Sequence, residues 1–96
     1  MSNLVILPAA RADLVEIGDF IALDNPGRAE IFVREIEARL LQIAERPGSY
    51  PARDELYAGL RSARHGRYLI FFTEGGDQVQ ILRVIHGARD LPNFLR

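Results

Sequence analysis

The sequence lacks several features that would assign it to a class at once. It has no cysteine, which excludes disulfide bonds and thiolate metal sites. No apolar run reaches the roughly 18 residues of a membrane-spanning helix, and no signal-peptide pattern is present. We therefore expect a cytoplasmic protein. At 96 residues with 48% hydrophobic content, we also expect a single globular domain over residues 1–96.

Lysine is also absent, so all 12 basic residues are arginine. The net charge of −1 conceals an uneven distribution. Residues 1–58 carry 6 Arg against 10 acidic residues (net −4), whereas residues 59–96 carry 6 Arg against 3 (net +3). Arginine binds planar anions through paired hydrogen bonds, so carboxylate or phosphate partners would suit the second part. The imbalance is too small to indicate nucleic-acid binding by itself.

The first half of the chain predicts a strand followed by two helices. Residues 4–7 form a short apolar run that Pro8 ends, which is typical of a strand. Residues 8–24 and 27–46 place apolar side chains at helical spacing. Asn25 between them is a favourable N-cap. Two helices joined by so short a turn form an antiparallel hairpin.

The second half predicts strands. Residues 60–64 indicate a weak strand, and residues 68–73 and 79–85 are rich in β-branched and aromatic side chains. Gly75 and Gly76 suit a two-residue hairpin loop, because the favoured turns need positive φ. This loop would set three pairs opposite each other: Phe72 with Val79, Ile70 with Ile81, and Tyr68 with Arg83.

The predicted hairpin carries apolar residues on both faces. One face, with Ile70 and Phe72, is almost wholly apolar and would lie on the core. The other face mixes apolar and polar side chains, among them Leu69, Phe71, Leu82, Val84, Gln80 and His86. A sheet that is apolar on both faces needs cover on both, here from the chain's own tail or from a partner.

One group of basic side chains could carry chemistry: Arg61, Arg64, Arg67, Arg83, His86 and Arg89. His86 could act as a general acid or base near neutral pH, with an arginine stabilising developing negative charge. In the structural alternative, which we favour, the Arg83 guanidinium stacks over the Tyr68 ring and His86 lies at the sheet edge without a catalytic role. No spacing of ligands predicts a metal site, and nothing predicts a cofactor.

Four segments resemble ParE toxins of the RelE/ParE superfamily. They run in order through almost the whole chain: PAARADLVEI, the connection PGSYPARDEL, GLRSARHGRYLIFF and QILRVIHGARD. Each is weak alone, and together they are specific. Leu7 departs from the pattern, because the family often has a serine there that would cap the first helix.

The resemblance implies an α+β fold, with an N-terminal strand, an antiparallel helical hairpin packed on a small antiparallel β-sheet, and a short C-terminal tail. It also implies the toxin of a bacterial type II toxin–antitoxin pair that inhibits DNA gyrase by binding and is neutralised by a ParD-like antitoxin. Such a toxin needs no catalytic group.

Two alternatives stay open. The first is a RelE-like ribosome-dependent mRNA endonuclease. The resemblance to that branch of the superfamily would imply a strongly basic protein with a C-terminal tyrosine or similar group for acid–base chemistry. This chain has no lysine and no tyrosine after Tyr68. The other alternative is a non-toxic ParE-like subunit that only forms a complex with its partner.

Within the ParE-like interpretation we expect the antitoxin to place an amphipathic helix on the helical hairpin and an extended, acidic-flanked segment along the sheet. The residues predicted to contact the antitoxin or the target are Arg61, Arg64, Leu69, Phe71, Leu82, Arg83, His86 and Arg89.

Overall fold

A four-stranded sheet carries a pair of helices on one face. The computed structural model describes residues 3–87. The elements in chain order are β1 Asn3–Ile6, α1 Pro8–Asp24, α2 Pro26–Glu45, a short 3-10 helix Pro47–Ser49, β2 Arg61–His65, β3 Tyr68–Gly75 and β4 Gln78–His86. Within the described residues no helix is long and apolar enough to cross a bilayer.

The sheet has the strand order β1-β4-β3-β2. Strands β2, β3 and β4 form an antiparallel meander, and β1 pairs with β4 in parallel. The predicted α+β architecture is confirmed. The sheet is mixed rather than wholly antiparallel, because β1 runs in the same direction as its neighbour β4.

The helical hairpin turns at Asn25, as the sequence predicts. The Asn25 side chain accepts a hydrogen bond from the Arg28 backbone N–H at 3.1 Å, and Pro26 occupies the first turn of α2. Helix α1 also begins at a proline, but Leu7 offers it no side-chain cap. The second helix is therefore the better capped of the two.

Asn25→Ala is expected to lower the free energy of unfolding by about 1 kcal/mol, because it removes the only side-chain acceptor recorded at the start of α2 within residues 3–87. Urea unfolding followed by circular dichroism measures the change. Asn25→Ser is the control, since serine also caps helices and should retain most of the stability. An unchanged free energy of unfolding in Asn25→Ala would mean that the cap contributes nothing.

The main core lies between α2 and the helix-facing side of the sheet. From α2 it takes Phe32, Ile36, Leu40 and Ile43, and from the sheet Ala63, Ile70, Phe72, Val79, Ile81 and Val84. Helix α1 contributes only Ala10 to the fully buried set. Its Leu14, Ile17 and Ile21 pack against the core and stay partly exposed. The hairpin is therefore anchored mainly through α2.

The loop between β3 and β4 differs from the predicted one by one residue. Gly75 pairs with Gln78, so Gly76 and Asp77 form the loop, and only Gly76 of the three has positive φ (+60°). Phe72 consequently lies opposite Ile81 rather than Val79. The shift along the strand amounts to two residues, so the predicted core face of this part is preserved.

A β-bulge then changes the second half of β4. Phe72 pairs with Ile81 and Phe71 pairs with Arg83, which leaves Leu82 as the extra residue. Beyond it Ile70 lies opposite Val84. The bulge moves Val84 to the helix-facing core, although strict alternation predicts the other face.

The same bulge changes the partner of Tyr68. Tyr68 lies opposite His86, with ring centroids 5.5 Å apart, and the predicted pairing with Arg83 is wrong. His86 therefore shares the helix-facing side with Tyr68, rather than lying among the residues of the mixed face. One inserted residue accounts for both differences.

The second face of the sheet has a small core of its own. Leu60, Leu69, Phe71 and Ile85 are buried there, with Leu56 and Leu82 packed against them. The Arg53 guanidinium lies 5.8 Å from the centre of the Phe71 ring. The connection between α2 and β2 thus covers this face, for which the sequence predicts cover by the tail or by a partner. Residues 88–96 of that tail lie outside the described residues.

Candidate partner-binding site

An open groove of about 840 Å³ runs between α1 and α2. Its apolar floor and walls comprise Ile6, Leu14, Val15, Gly18, Ala22, Pro26, Ala29, Phe32, Val33, Ile36 and Leu40. Small residues on both helices keep it wide: a Cβ built on Gly18 would meet no atom within 4 Å. A groove with apolar walls between two antiparallel helices can accept a third helix.

Helix α1 is apolar around much of its circumference and poorly covered. Val15 in the groove wall is 60% exposed, and Phe20 and Leu23 outside the groove are 71% and 87% exposed. Single exposed apolar residues are ordinary, but a helix of this composition is usually covered. The free chain therefore presents a surface suited to a partner.

Charged side chains line the groove beside its apolar walls. Helix α1 supplies Arg11 and Asp19, and α2 supplies Glu30, Arg34 and Glu37. Both signs of charge are present on both sides. A docked helix would need an apolar stripe flanked by charges of both signs, which sets its register as well as its affinity.

Among the predicted contact residues, Arg61 and Arg64 lie on edge strand β2. Arg61 is half-buried, and its Nη1 donates to the Tyr50 carbonyl oxygen at 2.7 Å. Arg64 is exposed, and its carbonyl oxygen accepts from Arg39 Nε at 3.2 Å. Arg61 therefore stabilises the neighbouring loop, whereas the Arg64 side chain is available to a partner.

Arg83 is bound to α1, and it does not lie opposite Tyr68 as predicted. Its Nε and Nη2 donate to the two carboxylate oxygens of Asp13, each at 2.8 Å, and the Val84 backbone N–H donates to the same carboxylate at 2.9 Å. The hydrogen bonding of the Arg83 guanidinium to the Asp13 carboxylate is the main cause that raises the pKa of Arg83. Asp13 thus joins the first helix to β4 just beyond the end of β1.

His86 lies at one end of a row of polar aromatic side chains. His65, Tyr68 and His86 occupy facing positions on β2, β3 and β4. Phe32 contacts Tyr68 and His65 edge-on, at centroid distances of 5.4 and 6.0 Å. His65 Nε2 also lies 3.7 Å from a Glu35 carboxylate oxygen.

Leu69 and Phe71 are buried beneath the connection that contains Leu56, and Leu82 is packed at the margin of the same cluster. Arg89 lies outside the described residues. The structure therefore does not bring the predicted residues into one exposed patch. Their role in binding stays a prediction.

Sequence reasoning missed Asp13 and the individual groove residues. The partner of Arg83 is 70 positions away along the chain, and nothing local marks it. The groove had a visible signal in Val15, which is apolar but lies off the buried stripe of α1. Within residues 3–87 no three His, Asp or Glu side chains are grouped to hold a metal ion.

A strand, a helical hairpin with an open groove and an antiparallel meander define a small α+β domain with a surface for a protein partner. Residues 4–91 match the family described as the ParE toxin of the type II toxin–antitoxin system parDE. The chain belongs to this family.

Two relatives and one solved structure are similar to most of this chain. Toxin ParE1 of Mycobacterium tuberculosis is 31% identical over 97 residues, covering 98% of each chain. Toxin ParE1 of Caulobacter vibrioides is 36% identical over 78 residues, covering 80% of each. A solved structure titled "Chromosomal ParDE TA system from P. aeruginosa" contains a similar chain, with a TM-score of 0.76 and 25% identity. The similarity covers 90% of this chain and 96% of that one.

Proposed function

We propose that this toxin acts in the cytoplasm by binding DNA gyrase, without catalysis, and that a ParD-like antitoxin neutralises it by docking on the helical hairpin. The observation that carries the antitoxin part is the open apolar groove beside the poorly buried helix α1. Membership of the ParE family supports the toxin role, and the similarity to a ParDE structure supports an antitoxin as the partner.

An amphipathic helix of the antitoxin would fill the groove. Its apolar side would cover Val15, Ala22 and Val33, and Gly18 leaves space for a bulky side chain. Burial of apolar surface would supply most of the affinity, at roughly 25 cal/mol per Å² before the costs of association. The mixed charges around the groove would fix its orientation.

The sheet would supply the polar contacts. Arg64 is the best placed of the predicted residues, because it is exposed on β2. His86 at the end of β4 is half-buried. Arg61 and Arg83 already hold other parts of the chain, so they would act mainly by shaping the surface. Leu69 and Phe71 could contact a partner only if the connection containing Leu56 moved away.

One observation favours the endonuclease alternative. His65, Tyr68 and His86 are side by side on adjacent strands, and such groups can transfer protons in RNA cleavage. The net charge of −1 argues against it, because a ribosome-bound nuclease needs a positive field. We therefore propose the binding function. Substitutions in the row of His65, Tyr68 and His86 test the endonuclease alternative.

Two assays on the purified chain separate these functions. We expect inhibition of gyrase-dependent DNA supercoiling at amounts comparable to the enzyme, and no cleavage of message in a reconstituted translation system. Adding the protein encoded by the adjacent gene should restore supercoiling. Message cleavage with supercoiling intact would contradict the gyrase proposal, and the absence of both activities would favour the non-toxic subunit.

Tyr68→Phe and His86→Ala test the endonuclease alternative directly. Tyr68→Phe removes only the hydroxyl and keeps the ring on Phe32, so the fold should be unaffected. A binding toxin should retain toxicity in Tyr68→Phe, and any loss in His86→Ala should match a loss of binding, whereas an acid–base enzyme should lose about 100-fold or more in both variants with binding unchanged. Arg83→Ala is unsuitable for this purpose, because it also breaks the contact with Asp13.

A further inference from the structure

Two exposed arginines lie at the turn between β2 and β3. Arg64 is near the end of β2, and Arg67 directly precedes β3. In the part of the chain that the structure describes, neither guanidinium forms a hydrogen bond or an ion pair with another residue. The guanidinium groups of Arg39 and Arg61, in contrast, donate to groups of the chain itself. The turn therefore presents two sets of arginine donors to a ligand.

The backbone that carries both arginines is held by internal hydrogen bonds. The Arg64 carbonyl oxygen accepts from Arg39 Nε at 3.2 Å, and the Arg67 carbonyl oxygen accepts from the Gly87 N–H at 2.8 Å. Gly66, with a φ of +58°, allows the tight turn that separates them. Because the backbone is already fixed, a ligand would have to order only the two side chains, which lowers the entropic cost of binding.

The sheet places little negative charge near this turn. Residues 56–73 contain three arginines and neither aspartate nor glutamate. Among the four strands of the structure the only acidic residue is Glu74, which lies at the far end of β3. Glu35 of α2 does reach this end of the sheet, where its carboxylate lies 3.7 Å from His65 Nε2. The turn therefore carries an excess of positive charge that attracts anionic groups.

The turn is remote from the groove between the helices. Strands β1 and β2 form opposite edges of the sheet, and the groove meets the sheet at Ile6 of β1. Arg64 lies opposite Leu69, which is buried in the small core on the face away from the helices. Residues opposite each other on neighbouring strands share a face. A helix docked in the groove would therefore leave Arg64 accessible to a second partner.

We infer that Arg64 and Arg67 bind the carboxylates of an acidic segment on the toxin's target protein, a conclusion that rests on the proposed function. Each guanidinium can form two parallel hydrogen bonds with one carboxylate. A nucleic acid fits less well, because a chain with a net charge of −1 lacks the broad positive field that binds a phosphate backbone.

This inference separates the two binding surfaces of the toxin. The antitoxin occupies the groove between α1 and α2, and the target contacts the turn between β2 and β3. A large target would also meet the bound antitoxin elsewhere, so neutralisation does not require both partners to contact the same residues.

The double variant Arg64→Gln/Arg67→Gln tests the inference in the supercoiling assay. About tenfold more of this variant than of the parent should be needed for half-inhibition, as expected for the loss of two exposed ion pairs. Its affinity for the protein encoded by the adjacent gene, measured by titration calorimetry, should stay within about threefold of the parent. Arg28→Gln/Arg46→Gln is the matched control, because it removes the same charge from two other exposed arginines and should change neither quantity.

The two measurements together distinguish the outcomes. Inhibition by the double variant equal to that of the parent would overturn the inference. A parallel loss of inhibition and of affinity for the adjacent-gene protein would also overturn it, because the arginines would then belong to the antitoxin surface. If the parent itself does not inhibit supercoiling, the proposed gyrase function fails, and an NMR titration decides whether the turn binds carboxylates.

That titration uses the isotope-labelled full chain, with a glutamate decapeptide as the probe and a short DNA duplex as the comparison. The peptide should shift the amide signals of residues 64–68 and of Gly87 in the parent, and these shifts should be lost in Arg64→Gln/Arg67→Gln. Parent signals that do not move at these residues would refute the carboxylate site. Tighter binding of the DNA at the same salt concentration would assign the turn to a nucleic acid instead, and would equally overturn the inference.

Discussion

Asp13→Ala is expected to lower the free energy of unfolding by about 3 kcal/mol, because one carboxylate accepts three hydrogen bonds. Two come from a guanidinium and one from the Val84 backbone N–H, which has no β1 residue opposite it. Alanine leaves both donors without this acceptor in a partly buried site. Urea unfolding monitored by circular dichroism measures the loss.

Asp19→Ala is the matched control. Asp19 lies six residues further along the same helix, is exposed and forms no ion pair with another residue of 3–87, so its replacement should change stability by less than about 0.5 kcal/mol. Asp13→Asn should fall between the two, because the amide retains one acceptor oxygen. A loss at Asp13 no larger than at Asp19 would show that the contact is not stabilising.

The pH dependence of this contact follows from the raised pKa of Arg83. A group whose pKa is raised on folding stabilises the protein fully below its unfolded pKa and loses that contribution as the pH rises through the folded value. For an arginine both values lie in strongly alkaline solution. The Arg83 contribution should therefore be constant across the neutral range, and a stability profile that changed there in parent but not in Asp13→Ala would contradict this assignment.

Val33→Asp is expected to weaken antitoxin binding at least about 100-fold, because it places an unpaired carboxylate in the apolar wall of the groove. Val33 is 43% exposed in the free chain, so the free protein should lose little stability. Titration calorimetry with the protein of the adjacent gene measures the affinity, and urea unfolding measures the stability of the variant alone.

Ile31→Asp provides the control for this substitution. Ile31 lies on the same helix with a similar exposure of 47%, is β-branched, and does not line the groove. Its replacement should leave the affinity within about threefold of the parent, a free-energy difference below 1 kcal/mol. Equal weakening by both substitutions would argue against the groove as the docking site, whereas an effect confined to Ile31 would place the partner on the other side of α2.

The elements of this fold were predictable because their signals are local. Pro8 and Asn25 mark the starts of the two helices, and the spacing of apolar residues in 27–46 fixes the buried face of α2. The bulge at Leu82 was not predictable, because the residues around it fit the alternating pattern of an uninterrupted strand equally well. A bulge is decided by packing against β3 and α1, which a single strand sequence does not contain.

Only part of the candidate site was predictable from the sequence, for the same reason. The amphipathic hairpin predicted that a partner helix could dock, but not that Val15 and Val33 form opposite walls of one groove. The basic residues of the second half were prominent in the sequence, yet Arg61 and Arg83 are engaged within the chain. Their partners, the Tyr50 carbonyl and Asp13, are distant along the chain, so composition alone could not separate internal from external contacts.

The sparse cover of α1 has a practical consequence for how this protein can be produced. A helix with Phe20 and Leu23 open to water is a site for self-association when the chain is concentrated. Solubility should therefore improve when both genes are expressed together, because the partner then binds helix α1 before copies of this chain associate with one another.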